Sequence, residues 1–92
     1  MEASGTIKAV FDTHKVSDRF QKREIVLTIE EDPKYPQHVS FLLTQDKCEL
    51  VNDKMIGSRV KVQFNLRGRE WKEAGGVARY FNSMEIWKLD KI

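Results

Sequence analysis

Between Gly57 and Trp71 the chain reads Gly-Ser-Arg-Val-Lys-Val-Gln-Phe-Asn-Leu-Arg-Gly-Arg-Glu-Trp. Val60, Val62, Phe64 and Leu66 alternate with Arg59, Lys61, Gln63, Asn65 and Arg67. A period of two is the mark of a strand with one buried and one solvated face. The strand then runs into Arg67-Gly68-Arg69-Glu70-Trp71-Lys72, a cationic and aromatic end that a simple core strand does not need.

The same alternation recurs along the chain. A first strand over Gly5 to Asp12 sets Ile7, Ala9 and Phe11 inward. Polar residues 12–22 read as a long loop with Thr13, Ser17 and Asp18 as turn formers. A second strand over Arg23 to Glu31 turns Ile25, Leu27 and Ile29 inward, and Pro33 and Pro36 then forbid pairing. A third strand, His38 to Thr44, buries Val39, Phe41 and Leu43. The period changes after that: Cys48, Val51 and Met55 fall at helical spacing, with Asp46 and Glu49 as a capping box and Gly57 as the stop. Ser58 to Trp71 is the fourth strand, Gly75-Gly76 turns the chain, and the fifth strand runs from Val77 to about Leu89. That last strand carries large apolar residues in both phases. A bulge near Glu85 to Trp87 would let Met84, Trp87 and Leu89 all point inward.

Three strands, a helix and two strands in 92 residues predict a single domain spanning residues 1–92. The class is all-β: an OB-fold, a five-stranded Greek-key barrel with one short helix between strands three and four. A small SH3-like barrel is the competing architecture, but it lacks this helix. No apolar run approaches the about 20 residues of a membrane span, and the amino terminus carries no secretion signal. A single cysteine, Cys48, forms no internal disulfide, and a reducing, cytoplasmic setting is the default.

Nothing in the sequence assembles a catalytic constellation, a metal site or a cofactor site. Cys48 on a buried helix face reads as an inert thiol rather than a nucleophile served by His14 or His38. Charge is distributed more tellingly. The net charge is only +2, yet residues 59–79 hold six Lys/Arg against two Glu. In an OB-fold the loops joining strands one to two and four to five flank the ligand groove. The first supplies Lys15, Arg19, Phe20, Lys22 and Arg23. The second supplies Arg67, Arg69, Trp71, Lys72, Arg79 and Tyr80, with Phe81 beside them. Cations track phosphates and flat rings stack on bases, so both walls fit single-stranded nucleic acid. Trp71 has two readings, a base platform or a ring packed on the barrel rim. Val10, Val26 and Leu42 face outward on three strands and would form an apolar self-association patch if those strands are neighbours.

Three segments carry a resemblance: Gly57 to Trp71, Tyr80-Phe81-Asn82-Ser83, and Thr44-Gln45-Asp46-Lys47-Cys48. Through them the chain resembles, over nearly its whole length, a family of short bacterial OB-fold proteins of unknown function, akin to single-stranded-DNA-binding proteins. Gly57 to Trp71 and the glycine hairpin are similar to strand four and the next loop of the bacterial single-stranded-DNA-binding proteins. That likeness implies groove roles for Arg67, Arg69 and Trp71 and a dimeric or tetrameric assembly. The end, Lys88-Leu89-Asp90-Lys91-Ile92, lacks their flexible linker and acidic tail, so the tail's recruitment of repair partners is not expected. The resulting expectation is a non-enzymatic, largely sequence-independent binder of single-stranded nucleic acid, DNA in preference to RNA. The alternative is a protein-interaction or homo-oligomeric assembly module that uses the barrel without nucleic acid.

Overall fold

A computed structural model describes residues 1–92. Six strands, β1 (Glu2–Val10), β2 (His14–Ser17), β3 (Phe20–Ile29), β4 (Gln37–Thr44), β5 (Arg59–Lys72) and β6 (Ala78–Lys91), form one sheet. Two 3₁₀ turns, Gln45–Leu50 and Asp53–Met55, lie between β4 and β5. β1 pairs with β3, β3 with β4, β6 with β5, and β5 with β1, all antiparallel. A single parallel bridge, Leu42 to Glu85, joins β4 to β6 and closes the ring. This is the OB arrangement that the chain order predicts. No helix is long and apolar enough to cross a membrane.

β1 serves both halves of the ring. Its residues 2–6 pair with β5 and its residues 6–10 pair with β3. The corner is tight: a Cβ on Gly5 would stand 2.6 Å from the Thr28 carbonyl oxygen, so only glycine fits. Just beyond it the register slips, Ile7 facing Leu27 and Ala9 facing Val26, which makes Lys8 a bulge residue. The bulge reverses the phase expected from alternation. Val10, expected outside, packs against the core, whereas Phe11, expected inside, is exposed. The three-residue apolar patch of Val10, Val26 and Leu42 therefore does not form.

The core holds Ile7, Ile25, Leu27, Phe41, Leu43, Val60, Val62, Phe64 and Ile86 from the strands. Phe41 and Phe64 meet edge to face with ring centroids 5.1 Å apart. Cys48, Val51 and Met55 close one end, as their spacing predicts. Cys48 and Met55 do so from the two 3₁₀ turns and Val51 from the extended link between them, and the expected capping box is not used: Thr44 precedes the first turn without a side-chain cap bond. Asn52 caps the second turn instead, its Oδ1 accepting from the Lys54 amide at 2.9 Å. Burial pushes the Cys48 thiol above its ordinary pKa, opposed by the nearby Arg23 charge. The Cys48 Sγ donates to the Leu43 carbonyl at 3.4 Å.

Two further departures shape the surface. Residues 12–22 are not an open loop, because β2 folds back on β3 as a hairpin turning at Asp18 and Arg19. In β6 the register slips between Gln63–Lys88 and Phe64–Ile86, leaving Trp87 as the extra residue. The bulge thus falls where alternation requires one. It brings Ile86, Met84 and Leu89 onto the core side, but Trp87 itself is exposed rather than inward.

Candidate nucleic-acid interface

Past Phe64 and Ile86 the β5–β6 ribbon leaves the barrel as an arm of two strands. Leu66, expected in the core, is 63% exposed because no sheet lies opposite it there. Register fixes the two faces of this arm, since cross-strand partners share a face and successive residues alternate. Arg67, Arg69 and Trp71 stand with Ser83, Phe81 and Arg79 on one face. Leu66, Gly68, Glu70 and Lys72 stand with Met84, Asn82, Tyr80 and Ala78 on the other. Trp71 and Tyr80 are therefore on opposite faces.

The arm and the β2–β3 hairpin face each other across the outer surface of β4. Leu42 forms the floor, lining three adjoining concavities of about 600, 420 and 270 Å³. The largest lies under the hairpin, where Lys15 and Lys22 share the lining with Asp12 and Glu24, beside Phe11, His14 and Val16. The middle one joins both walls: Phe20 and Lys22 come from β3, and Arg67, Arg69 and Phe81 from the arm. The Arg69 guanidinium carbon lies 5.9 Å from the centre of the Phe81 ring, within cation–π range.

The hairpin wall is pinned from behind. Gln45 adopts a left-handed backbone, φ 52°, which costs a non-glycine residue roughly 1–2 kcal/mol. Its side-chain amide donates to the Arg19 carbonyl at 2.8 Å, and its backbone carbonyl accepts from Gln21 Nε2 at 3.0 Å. These bonds offset the strain and hold the hairpin tip against the first 3₁₀ turn. Arg23 continues the strapping. Its Nε donates to the Phe11 carbonyl at 2.7 Å, and its Nη1 to the carbonyls of Val51 and Cys48 at 2.9 and 3.2 Å.

Of the expected site residues, Phe20, Lys22, Arg67 and Arg69 converge in the middle concavity, and Lys15 lies in the one beside it. Arg19 sits at the hairpin tip. Arg23 is turned inward, with its guanidinium committed to the three carbonyls. Trp71, Lys72, Arg79 and Tyr80 lie farther out on the arm and line no concavity. Trp71 is half-exposed and stands opposite Arg79 near the outer end of the arm. Arg67, Lys72 and Arg79 make exposed ion pairs with Glu85, Glu70 and Glu73 at 3.7, 3.9 and 3.1 Å. Such pairs are worth about 0–1 kcal/mol, so an anionic ligand can displace them. Lys15, Arg19, Lys22 and Arg69 have no acidic partner.

Sequence reasoning missed Leu42 as a groove floor and Phe11 as a wall, and it set Phe81 on the second wall without naming it as a stacking ring. The Phe81 signal was available: folding the arm about Gly75-Gly76 sets Phe81 opposite Arg69. Phe11 was hidden by the bulge at Lys8.

Solved structures share this architecture. The dimeric N-terminal domain of the PriB protein from Thermoanaerobacter tencongensis superposes with a TM-score of 0.69 at 11% identity, over 100% of this chain and 93% of that one. A deletion mutant of the single-stranded DNA binding protein from Thermus aquaticus superposes with a TM-score of 0.64 at 16% identity, over 99% of this chain and 48% of that one. At such identities the likeness establishes the OB-fold. No curated protein matches the sequence. A family model does match, across residues 2–90, and by it the chain belongs to the family described as a domain of unknown function, DUF3127.

Proposed function

We propose that this protein binds single-stranded nucleic acid, without catalysis and with little sequence preference, in the groove over Leu42. The carrying observation is the convergence of Phe20 and Lys22 from one wall with Arg67, Arg69 and Phe81 from the other. Phosphates would lie along Lys15, Lys22, Arg67 and Arg69, with Arg19 at the rim and Lys72 and Arg79 farther out. Bases would stack on Phe20 and Phe81, and on Trp71 where the strand follows the outer face of the arm. Tyr80, on the opposite face, and Arg23, strapped inward, fit the contact set less well. DNA rather than RNA is favoured by the likeness to the Thermus aquaticus protein, and the compartment we expect is the cytoplasm.

The test is anisotropy of a labelled oligonucleotide titrated at low and high salt. Four groove cations on a single strand give a salt slope of about −3. Absence of binding at low salt would refute this function. A second reading, self-association as a dimer or tetramer, has its own support: the arm exposes Leu66, Trp71, Val77, Tyr80 and Phe81 without a covering element, and the PriB domain is dimeric. Light scattering decides it, and the two readings are compatible.

A further inference from the structure

One part of the groove is unsuited to a phosphate. Where β4 and β6 diverge beyond their single bridge, a cavity of about 270 Å³ opens beside the cationic concavity, and no lysine or arginine lines it. Leu42, Leu66 and Met84 supply its apolar surfaces, and Glu24, Ser40 and Asn82 its polar ones. Glu24 Oε2 accepts from Ser40 Oγ at 2.6 Å, both residues being exposed; Glu24 stands between this cavity and the one under the hairpin and has no cationic partner. In a groove for phosphates such a carboxylate repels the ligand backbone, so its presence asks for a different partner.

The cavity suits one flat heteroaromatic ring system, being smaller than the ~300–1,000 Å³ of pockets for drug-sized ligands. A carboxylate has lone pairs enough to keep the Ser40 bond and accept two more. Among the bases, guanine alone presents two adjacent donors, N1–H and N2–H, on its Watson–Crick edge. Adenine and cytosine set their amino group beside a ring-nitrogen acceptor, which a carboxylate repels. Thymine offers one N–H between two carbonyls. We propose that this cavity receives one unstacked guanine, read by Glu24, so that the groove has a base preference at a single position. The proposal rests on the nucleic-acid reading above.

The experiment compares an all-thymine oligonucleotide with strands of equal length carrying one central guanine, cytosine or adenine. The guanine strand is expected to bind wild type about tenfold tighter than the all-thymine strand, the scale of one bidentate base contact. Glu24→Gln is expected to abolish that preference while binding the all-thymine strand at least as well as wild type, because a negative charge has left the groove. Ser40→Ala, which frees the carboxylate but keeps its charge, is expected to reduce the preference. Equal affinity of wild type for all four strands overturns the proposal, as does a preference for another base. A guanine preference that survives Glu24→Gln overturns it too, and so does a uniform loss of affinity in that variant. Failure of every strand to bind at low salt is the separate result that refutes the groove's function itself.

Discussion

Arg23 offers a test in which the two roles open to a groove-side arginine predict opposite results. As a phosphate ligand it would be dispensable to the fold, and its loss would weaken oligonucleotide binding and flatten the salt slope by about 0.7. The geometry assigns it instead to three carbonyls, those of Phe11, Cys48 and Val51. Arg23→Met keeps most of the aliphatic stem and removes all three bonds. The exposed Phe11 carbonyl can turn to water, so that bond contributes little. The bonds to Cys48 and Val51 are partly buried and charge-assisted, and an unsatisfied buried acceptor costs about 1–3 kcal/mol. Taking the lower half of that range for each, the expected loss is about 2–4 kcal/mol. For a domain of this size that lowers Tm by roughly 10–25 °C. Urea unfolding followed by circular dichroism measures the first quantity, and oligonucleotide titration at several salt concentrations the second. Stability within about 0.5 kcal/mol of wild type, the usual range for a surface change, together with a flattened slope would refute the strap.

Three other perturbations follow from the same structure. Gly5→Ala places a methyl group 2.6 Å from a backbone carbonyl that cannot yield without opening the β1 corner. Destabilisation of about 1–3 kcal/mol is expected in urea unfolding, as for overpacked cores, with no change if the corner is loose. Phe81→Ala, at a half-exposed ring on the arm, should leave Tm nearly unchanged yet lower oligonucleotide affinity by the about 1–3 kcal/mol of one stacked base. Unchanged affinity would remove Phe81 from the site. The buried Cys48, with its thiol pKa raised by desolvation, should resist a thiol reagent at pH 7 in native protein and react promptly in urea. Fast native labelling would contradict its burial.

The barrel was legible because its core strands alternate cleanly. Ile25 and Leu27 of β3, Phe41 and Leu43 of β4, and Val60, Val62 and Phe64 of β5 are all buried where the period of two puts them. Legibility failed where local pattern does not determine the neighbour. Leu66 continues the phase of Phe64 perfectly well, but whether a residue in phase is buried depends on a second layer, and the arm has none. Phe11 fails for a different reason. One extra residue at Lys8 shifts everything after it by one face, and Lys8 looks like any other solvated lysine. The bulge at Trp87 could be anticipated because both phases of β6 are apolar. Only one phase could be buried at a time, so a slip somewhere was needed.

The same physics accounts for what was readable of the site. Chain order in an OB topology puts the β1–β3 connection and the β5–β6 connection beside one groove, so the sequence alone places Phe20 and Lys22 opposite Arg67 and Arg69. Composition, however, cannot separate an arginine that reaches a ligand from one that straps the scaffold. Arg23 is adjacent to Lys22 in sequence, and in a strand adjacent residues point to opposite faces. Lys22 lines the groove, and Arg23 turns to the other side to meet the carbonyls of Phe11, Cys48 and Val51. Alternation, the rule that revealed the barrel, thus also divides the basic stretch into groove-facing and scaffold-facing members. On the arm it does the same with the rings, setting Trp71 and Phe81 on the face with Arg69 and Tyr80 on the face with Leu66. A strand of nucleic acid held by Arg69, as proposed above, would therefore have two aromatic rings on that face to stack on, whereas Tyr80 stands with Leu66 on the other.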